Sequence, residues 1–238
     1  TTAAAATTAT SCEGAHHSRS SPHTSSSEHH EPEPGGPTVT SNPGPEELGR
    51  EVLTYLPGTT IFHHHVDLLE FDEVLERAGT FVRDLHAVLP RHSDGTVSLH
   101  GDLAPWNVVV DGDRWFAIDW DSTHRGQTAW ELAYCLMTFC GLWHDRALPP
   151  KTAVHRMRRF AAGYGLSDEE LADVMRLVGD RCFEVVRYLE QRAAEGIPGF
   201  VRLIARGDTI EWRRTGEHAA AQLPAWLEVL STGRTSGR

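Results

Sequence analysis

Lysine is almost missing from this chain: Lys151 stands alone among 238 residues, and every other basic residue is arginine. Acids outnumber bases 33 to 22, a formal net charge of -11. That balance disfavours the nucleic-acid backbone and the anionic membrane surface as partners and suits a cationic ligand mildly. The four cysteines, at 12, 135, 140 and 182, include no C-x-x-C pair, so zinc-ribbon and dithiol redox chemistry drop out. The longest apolar run, near 132–143, is interrupted by Thr138 and is too short to cross a bilayer. No basic stretch followed by a Leu-rich core marks a secretory signal, and a reduced cytoplasm is the expected setting.

Residues 1–47 lack something else. Val39 is their only large aliphatic side chain, and Leu, Ile, Met, Phe, Trp and Tyr do not occur there. Such a stretch cannot bury enough apolar surface to offset the entropy of ordering it, so a disordered low-complexity tail is expected. The chain opens on Thr, which reads as a fragment or a processed product. Order is expected over 48–230, where the apolar residues suffice for a packed core, with 231–238 fraying.

The element pattern from 48 onwards is mostly helical. Residues 50–56 read as a strand closed by Pro57-Gly58, and 61–66 as a further extended stretch. Phe71, Val74, Leu75, Ala78, Val82, Leu85 and Leu89 recur at helical spacing and predict a helix over 70–89, with His86 buried at its edge. Val97-Ser98-Leu99 leads into a polar motif; Val108 to Val110 and Trp115 to Ile118 read as two strands joined through Asp111-Gly112-Asp113. Beyond 127 the pattern predicts helices at 128–140, 153–164, 168–194, 200–214 and 217–230. The helix at 168 opens on the capping box Ser167-Asp168-Glu169-Glu170. Glu131, the one charge in the apolar helix at 128–140, is expected to brace the loop after Asp121. The fold class is α+β, mainly helical.

The chemistry gathers in His100-Gly101-Asp102-Leu103-Ala104-Pro105-Trp106-Asn107 and, past the hairpin, Ile118-Asp119-Trp120-Asp121. A hairpin brings the start of its first strand beside the end of its second, so Asn107 and Asp119 become neighbours despite their separation in sequence. Phosphoryl transfer needs metal ions on the phosphate oxygens and a carboxylate near the attacking hydroxyl. In the pattern His-x-Asp-Leu-x-x-x-Asn, strand hairpin, Asp, the first acid takes the hydroxyl proton while the amide and the second acid hold Mg²⁺, a hard cation that prefers oxygen. The spacing therefore assigns Asp102 to catalysis, Asn107 and Asp119 to the metal, and His100 and Asp121 to support.

The same run closely resembles the aminoglycoside phosphotransferase and choline kinase-like family, which is similar in fold to the protein kinases. The resemblance, over about 48–230, implies a kinase-like hinge and large lobe with a catalytic β-hairpin and a remnant hinge strand. By motif, Asp102 resembles the family's catalytic aspartate, and Asn107 and Asp119 its magnesium ligands. The segment 51–58 resembles the hinge, which implies that ATP docks its adenine on the backbone of Leu53, Thr54, Tyr55 and Leu56. Ala129-Trp130-Glu131-Leu132-Ala133 resembles a segment where the family usually has Asp at the Glu131 position. The implied activity is transfer of the γ-phosphate of ATP, with Mg²⁺, to a hydroxyl of a small acceptor. Aminoglycosides, macrolides, choline, amino alcohols and sugars all belong to that class, and the acidic balance leans towards an amine-bearing alcohol.

The chain departs from the family before the hinge. No strand pattern precedes Leu48, and Lys151 lies well after the hairpin, so the small lobe and its phosphate-contacting lysine are expected to be missing and turnover to be slow. A mis-started or frame-shifted reading of 1–47 is one expected origin. Two other functions stay open. One is a non-catalytic binding module that keeps the large lobe and its acidic cleft. The other is a metal-dependent hydrolase using His63, His64 and His65 with His100 and Asp102, although neighbouring side chains of an extended segment point to opposite faces.

Overall fold

The structure, a computed structural model, describes residues 55–233. The stretch 1–47, Leu53 and Thr54 of the expected hinge, and residues 234–238 lie outside the described residues.

The element order is β1 (Thr59–Thr60), α1 (Ile61–His64), α2 (Asp72–Val88), β2 (Val97–Leu99), β3 (Val108–Asp111), β4 (Arg114–Ala117), β5 (His124–Gly126), α3 (Thr128–Phe139), α4 (Pro150–Tyr164), α5 (Asp168–Ala194), α6 (Pro198–Arg206) and α7 (Asp208–Thr232). Helix dominates two small antiparallel sheets, an α+β arrangement. One sheet has the order β1-β3-β4, and the other pairs β2 with β5.

The core follows from the apolar spacing. Leu75, Ala78, Phe81, Val82 and Leu85 form the buried face of α2, and Pro90 ends the helix by disfavouring helical backbone at Leu89, which is extended. That face packs on α4, where two glycines let the backbones meet. A Cβ on Gly79 would lie 2.0 Å from the Phe160 carbonyl oxygen, and one on Gly163 would lie 1.8 Å from that of Glu76. Helix α3 is buried at every position from Glu131 to Phe139. Long α5 opens on the capping box at Ser167 and Glu170, with both reciprocal hydrogen bonds formed. Arg156, Arg158 and Arg159 of α4 do not make a free basic face; they pair with Glu70, Asp168 and Glu76.

Two expectations are corrected, and two further elements are placed. The stretch 61–66 is not extended: α1 is one helical turn and Val66–Glu70 is a 3₁₀ turn. The ladder with β3 ends at Thr60 opposite Val109, and the chain turns into α1 at Ile61. Of the expected hinge strand, residues 50–54 lie outside the described residues and Tyr55 and Leu56 are irregular; the first described strand is Thr59–Thr60, past Pro57-Gly58. The break between the last two helices falls at Gly207, with φ of 96°, and not at 215–216. Gly216 is instead a contact residue, because a Cβ there would come within 3.1 Å of Cys182 and Phe183 on α5. Finally, β5 was not legible in the sequence. Its three residues carry no apolar alternation, and it is a strand because Val97, Ser98 and Leu99 pair with it.

No helix among the described residues is long and apolar enough to cross a membrane.

Candidate active site

The polar motif hangs between β2 and β3. Leu99 ends β2 in the core, His100 follows fully buried, and Gly101 turns the chain with φ of 86°. A side chain cannot replace that hydrogen, since a Cβ would sit 2.1 Å from the Ser122 carbonyl oxygen. Leu103 and Ala104 then bury themselves as anchors, and the 3₁₀ turn Pro105–Asn107 hands the chain to β3. The hairpin turns at Gly112, whose φ is 56°, and its register sets Val108 opposite Ala117. One step further on, Ile118 N–H donates to the Asn107 carbonyl at 3.0 Å, so the start of β3 lies beside the residues leading into Asp119.

His100 ties the two ends of this construction together. Its Nε2 donates to the Ile118 carbonyl at 2.9 Å, and its Nδ1 accepts from the Asp102 amide at 3.3 Å. Both ring nitrogens are therefore committed, in the neutral tautomer with the proton on Nε2. None is left for a zinc ion. His65 is likewise engaged with the Thr59 hydroxyl at 2.8 Å, and among the described residues no three His, Cys, Asp or Glu side chains form a group that could hold a metal.

The Asp102 carboxylate is held by three donors. Asn107 Nδ2 reaches Oδ2 at 2.9 Å and the Asp102 main-chain carbonyl at 2.9 Å. Trp106 Nε1 also reaches Oδ2, at 3.3 Å, and the Tyr134 hydroxyl donates to Oδ1. Burial pushes the Asp102 pKa above its ordinary value, and the hydrogen bonds from Tyr134, Trp106 and Asn107 offset that only in part. The result is a carboxylate of raised basicity, fixed in direction.

The backbone of Gly101 before it is held at both its amide and its carbonyl. Glu131 Oε1 accepts from the Gly101 amide at 2.5 Å, and Arg181 Nη2 donates to the Gly101 carbonyl at 2.8 Å. Glu131 therefore braces the loop in front of Asp102 and not the one after Asp121, because it sits in the first turn of α3, facing back to β2. His86, from α2, donates from Nε2 to the other oxygen of Glu131 at 2.8 Å, while its Nδ1 pairs with the Tyr164 hydroxyl at 2.9 Å. Burial alone would raise the Glu131 pKa; the His86 hydrogen bond and charge, with the Gly101 amide, outweigh it and hold the group below the usual carboxylate range.

Asn107 is buried and Asp119 exposed at the joined ends of the hairpin. With Nδ2 turned to Asp102, the Asn107 amide aims Oδ1 the other way, and no described group donates to it. Asp119 is the one non-glycine with positive φ among the described residues, at 62°, and its exposed carboxylate takes no hydrogen bond or ion pair from them. A left-handed aspartate is a strained conformation that persists only where the surroundings enforce it. An amide oxygen and a carboxylate are the ligand types a hard divalent cation such as Mg²⁺ takes. Asp121 is exposed a few residues on, in the loop before β5. Of the hinge residues, Tyr55 and Leu56 are described and irregular, with Tyr55 84% exposed.

Tyr134, Trp106 and Arg181 escaped the sequence reading. Tyr134 lies three residues after Glu131 on one helix, so the two share a face, and that spacing was available. Trp106 stood inside the motif. Arg181 carried no signal, because a buried arginine in a long helix looks like any surface one.

No curated protein matches the chain. The family model of the phosphotransferase enzyme family matches residues 36–165, which is more than half of the chain and takes in His100, Asp102, Asn107, Asp119 and Asp121 together with the Glu131 brace. The chain belongs to this phosphotransferase family, of the aminoglycoside phosphotransferase type.

Proposed function

We propose that the protein transfers the γ-phosphate of ATP, with Mg²⁺, to a hydroxyl of a small acceptor, with Asp102 as the proton acceptor. The observation that carries this reading is the Asp102 carboxylate, raised in basicity and oriented by three donors, one of them Asn107 at the start of the hairpin that ends on Asp119. On this reading the loop, hairpin and helical body make up a kinase-like large lobe. The backbone of Leu53, Thr54, Tyr55 and Leu56 is the proposed adenine hinge. A nucleotide co-substrate and the buried free thiols of Cys135, Cys140 and Cys182 suit a cytoplasmic setting.

Asp102 takes the proton of the acceptor hydroxyl as that oxygen bonds to the γ-phosphorus and the bond to the bridging oxygen breaks. The nucleoside diphosphate leaves, and the proton passes from Asp102 to water. Asn107 and Asp119 would hold Mg²⁺, which when bound neutralises charge on the phosphates. Asn107 also keeps Asp102 in place, so one side chain couples the proton acceptor to the metal pair. The net charge favours an acceptor that carries an amine.

Calorimetry with Mg·ATP and a coupled assay for nucleoside diphosphate test this on the full chain. Asp102→Ala is expected to lower turnover by about 10³-fold or more with nucleotide affinity within about twofold. Asp119→Ala is expected to weaken Mg·ATP binding as well. Equal effects of both variants on binding would contradict the roles. Binding without transfer to any hydroxyl, water included, would leave a nucleotide-binding module.

A further inference from the structure

A carboxylate offers about four acceptor directions, two on each oxygen. At Asp102, Oδ2 uses its two on Asn107 and Trp106, while Oδ1 uses one on Tyr134. The one direction left is on Oδ1, next to the Tyr134 hydroxyl. That hydroxyl has little freedom of its own. The Tyr134 ring is 3% exposed, is stacked on Trp212 with centroids 5.6 Å apart and planes 16° from parallel, and carries the Arg181 guanidinium 4.5 Å from its centroid. Burial, then the Asp102 charge, pushes the phenol pKa well above its ordinary value, so the group stays a donor at any working pH.

Arg181 has a double hold. The same guanidinium that lies on the Tyr134 ring donates to the Gly101 carbonyl. It thereby fixes the main chain leading into Asp102 and, through Tyr134, the side chain of Asp102.

We propose that Tyr134 is a positioning residue of the transfer: its pinned hydroxyl sets the Asp102 carboxylate so that the free direction of Oδ1 meets the acceptor hydroxyl. This rests on the phosphotransferase reading. A tyrosine that merely satisfies its own buried hydroxyl would be indifferent to the orientation of its partner. Here the partner is the proposed proton acceptor, and the contact takes one of the two directions on the oxygen that must do the work.

Tyr134→Phe tests it, since the ring packing on Trp212 and Arg181 is kept and only the hydroxyl goes. The full chain is labelled with ¹³C at the aspartate carboxyl carbons, and its spectrum at constant neutral pH is compared with that of the variant. The Asp102 signal is expected to shift and broaden as the carboxylate samples more than one rotamer, while Asp111 and Asp113 at the far end of the hairpin stay unmoved. In parallel, Mg·ATP hydrolysis with water as acceptor is expected to lose about tenfold in kcat with KM for Mg·ATP unchanged. A Tyr134→Phe chain with an unmoved Asp102 signal, or with wild-type kcat, overturns the proposal. A moved Asp102 signal in a chain whose wild type does not turn over Mg·ATP overturns the phosphotransferase reading and the catalytic role with it, leaving the hydrogen bond as structure only.

Discussion

Glu131 braces the loop that carries Asp102 from within the core. Its side chain is fully enclosed between His86 and the Gly101 amide, and both of its oxygens are used. Removing the charge but keeping the shape, as in Glu131→Gln, costs a charge-assisted hydrogen bond in the interior, about 1–3 kcal/mol at neutral pH by urea unfolding. The pH dependence has a definite sign. The folded pKa of Glu131 is depressed, so its contribution is fully present above the unfolded value near ~4.3 and is lost as pH falls through the lower folded value. The gap between the stability curves of wild type and Glu131→Gln should therefore narrow as pH falls below the unfolded value; a gap that stayed constant down to pH 3 would mean the charge contributes nothing. At this scale the sequence was half legible. A lone acid on an apolar helix announces a buried role, but which loop it holds depends on the direction the helix enters, and that is set by the pairing of β5 with β2, for which the sequence carries no alternation.

Among the elements, the contact of α2 with α4 is closest, because it is made by backbone. Gly79 and Gly163 place carbonyl oxygens where a methyl group would be, and the Thr80 hydroxyl and Arg83 Nη1 both donate to the Gly163 carbonyl at 3.2 Å. Gly79→Ala gains helix propensity but must push two backbones apart. Overpacking is expected to win, with a loss of about 1–3 kcal/mol in urea unfolding, whereas an unchanged or higher midpoint would show that the helices can slide. The consequence reaches the site, since α2 supplies His86 to Glu131 and α4 supplies Tyr164 to His86. Helical spacing made both helices readable from the sequence, with ends within a few residues. Their glycines were not read as contacts, because a glycine inside a helix looks the same whether it weakens the helix or lets a neighbour approach. Gly216 and Gly207 show the same ambiguity in reverse: the first looked like a breaker and lies inside α7 against α5, while the second, in left-handed backbone, makes the break.

Among the described residues, burial is graded from element to element, and the proposed site is braced by one of the most buried, α3. Helix α3 is enclosed from Glu131 to Phe139 and supplies Glu131 and Tyr134 to the loop that carries Asp102. Helix α6 has no buried residue, and its Val201 is 46% exposed. The segment around α1 is similarly open, with Phe62, Val66, Leu68 and Phe71 exposed, yet Phe62 lies edge-on to Trp106 at 5.8 Å, beside the motif. Regions with few buried apolar contacts open at lower free energy than the core. Amide hydrogen exchange followed by mass spectrometry should therefore rank α3 and the motif it braces as slowest, with α6 and the α1 segment at least about tenfold faster. Equal protection in α1 and α3 would refute the gradient. If it holds, the proposed proton acceptor Asp102 is mounted on the part of the protein that opens only with global unfolding, while Phe62, which lies against Trp106 beside it, belongs to a segment that opens more readily.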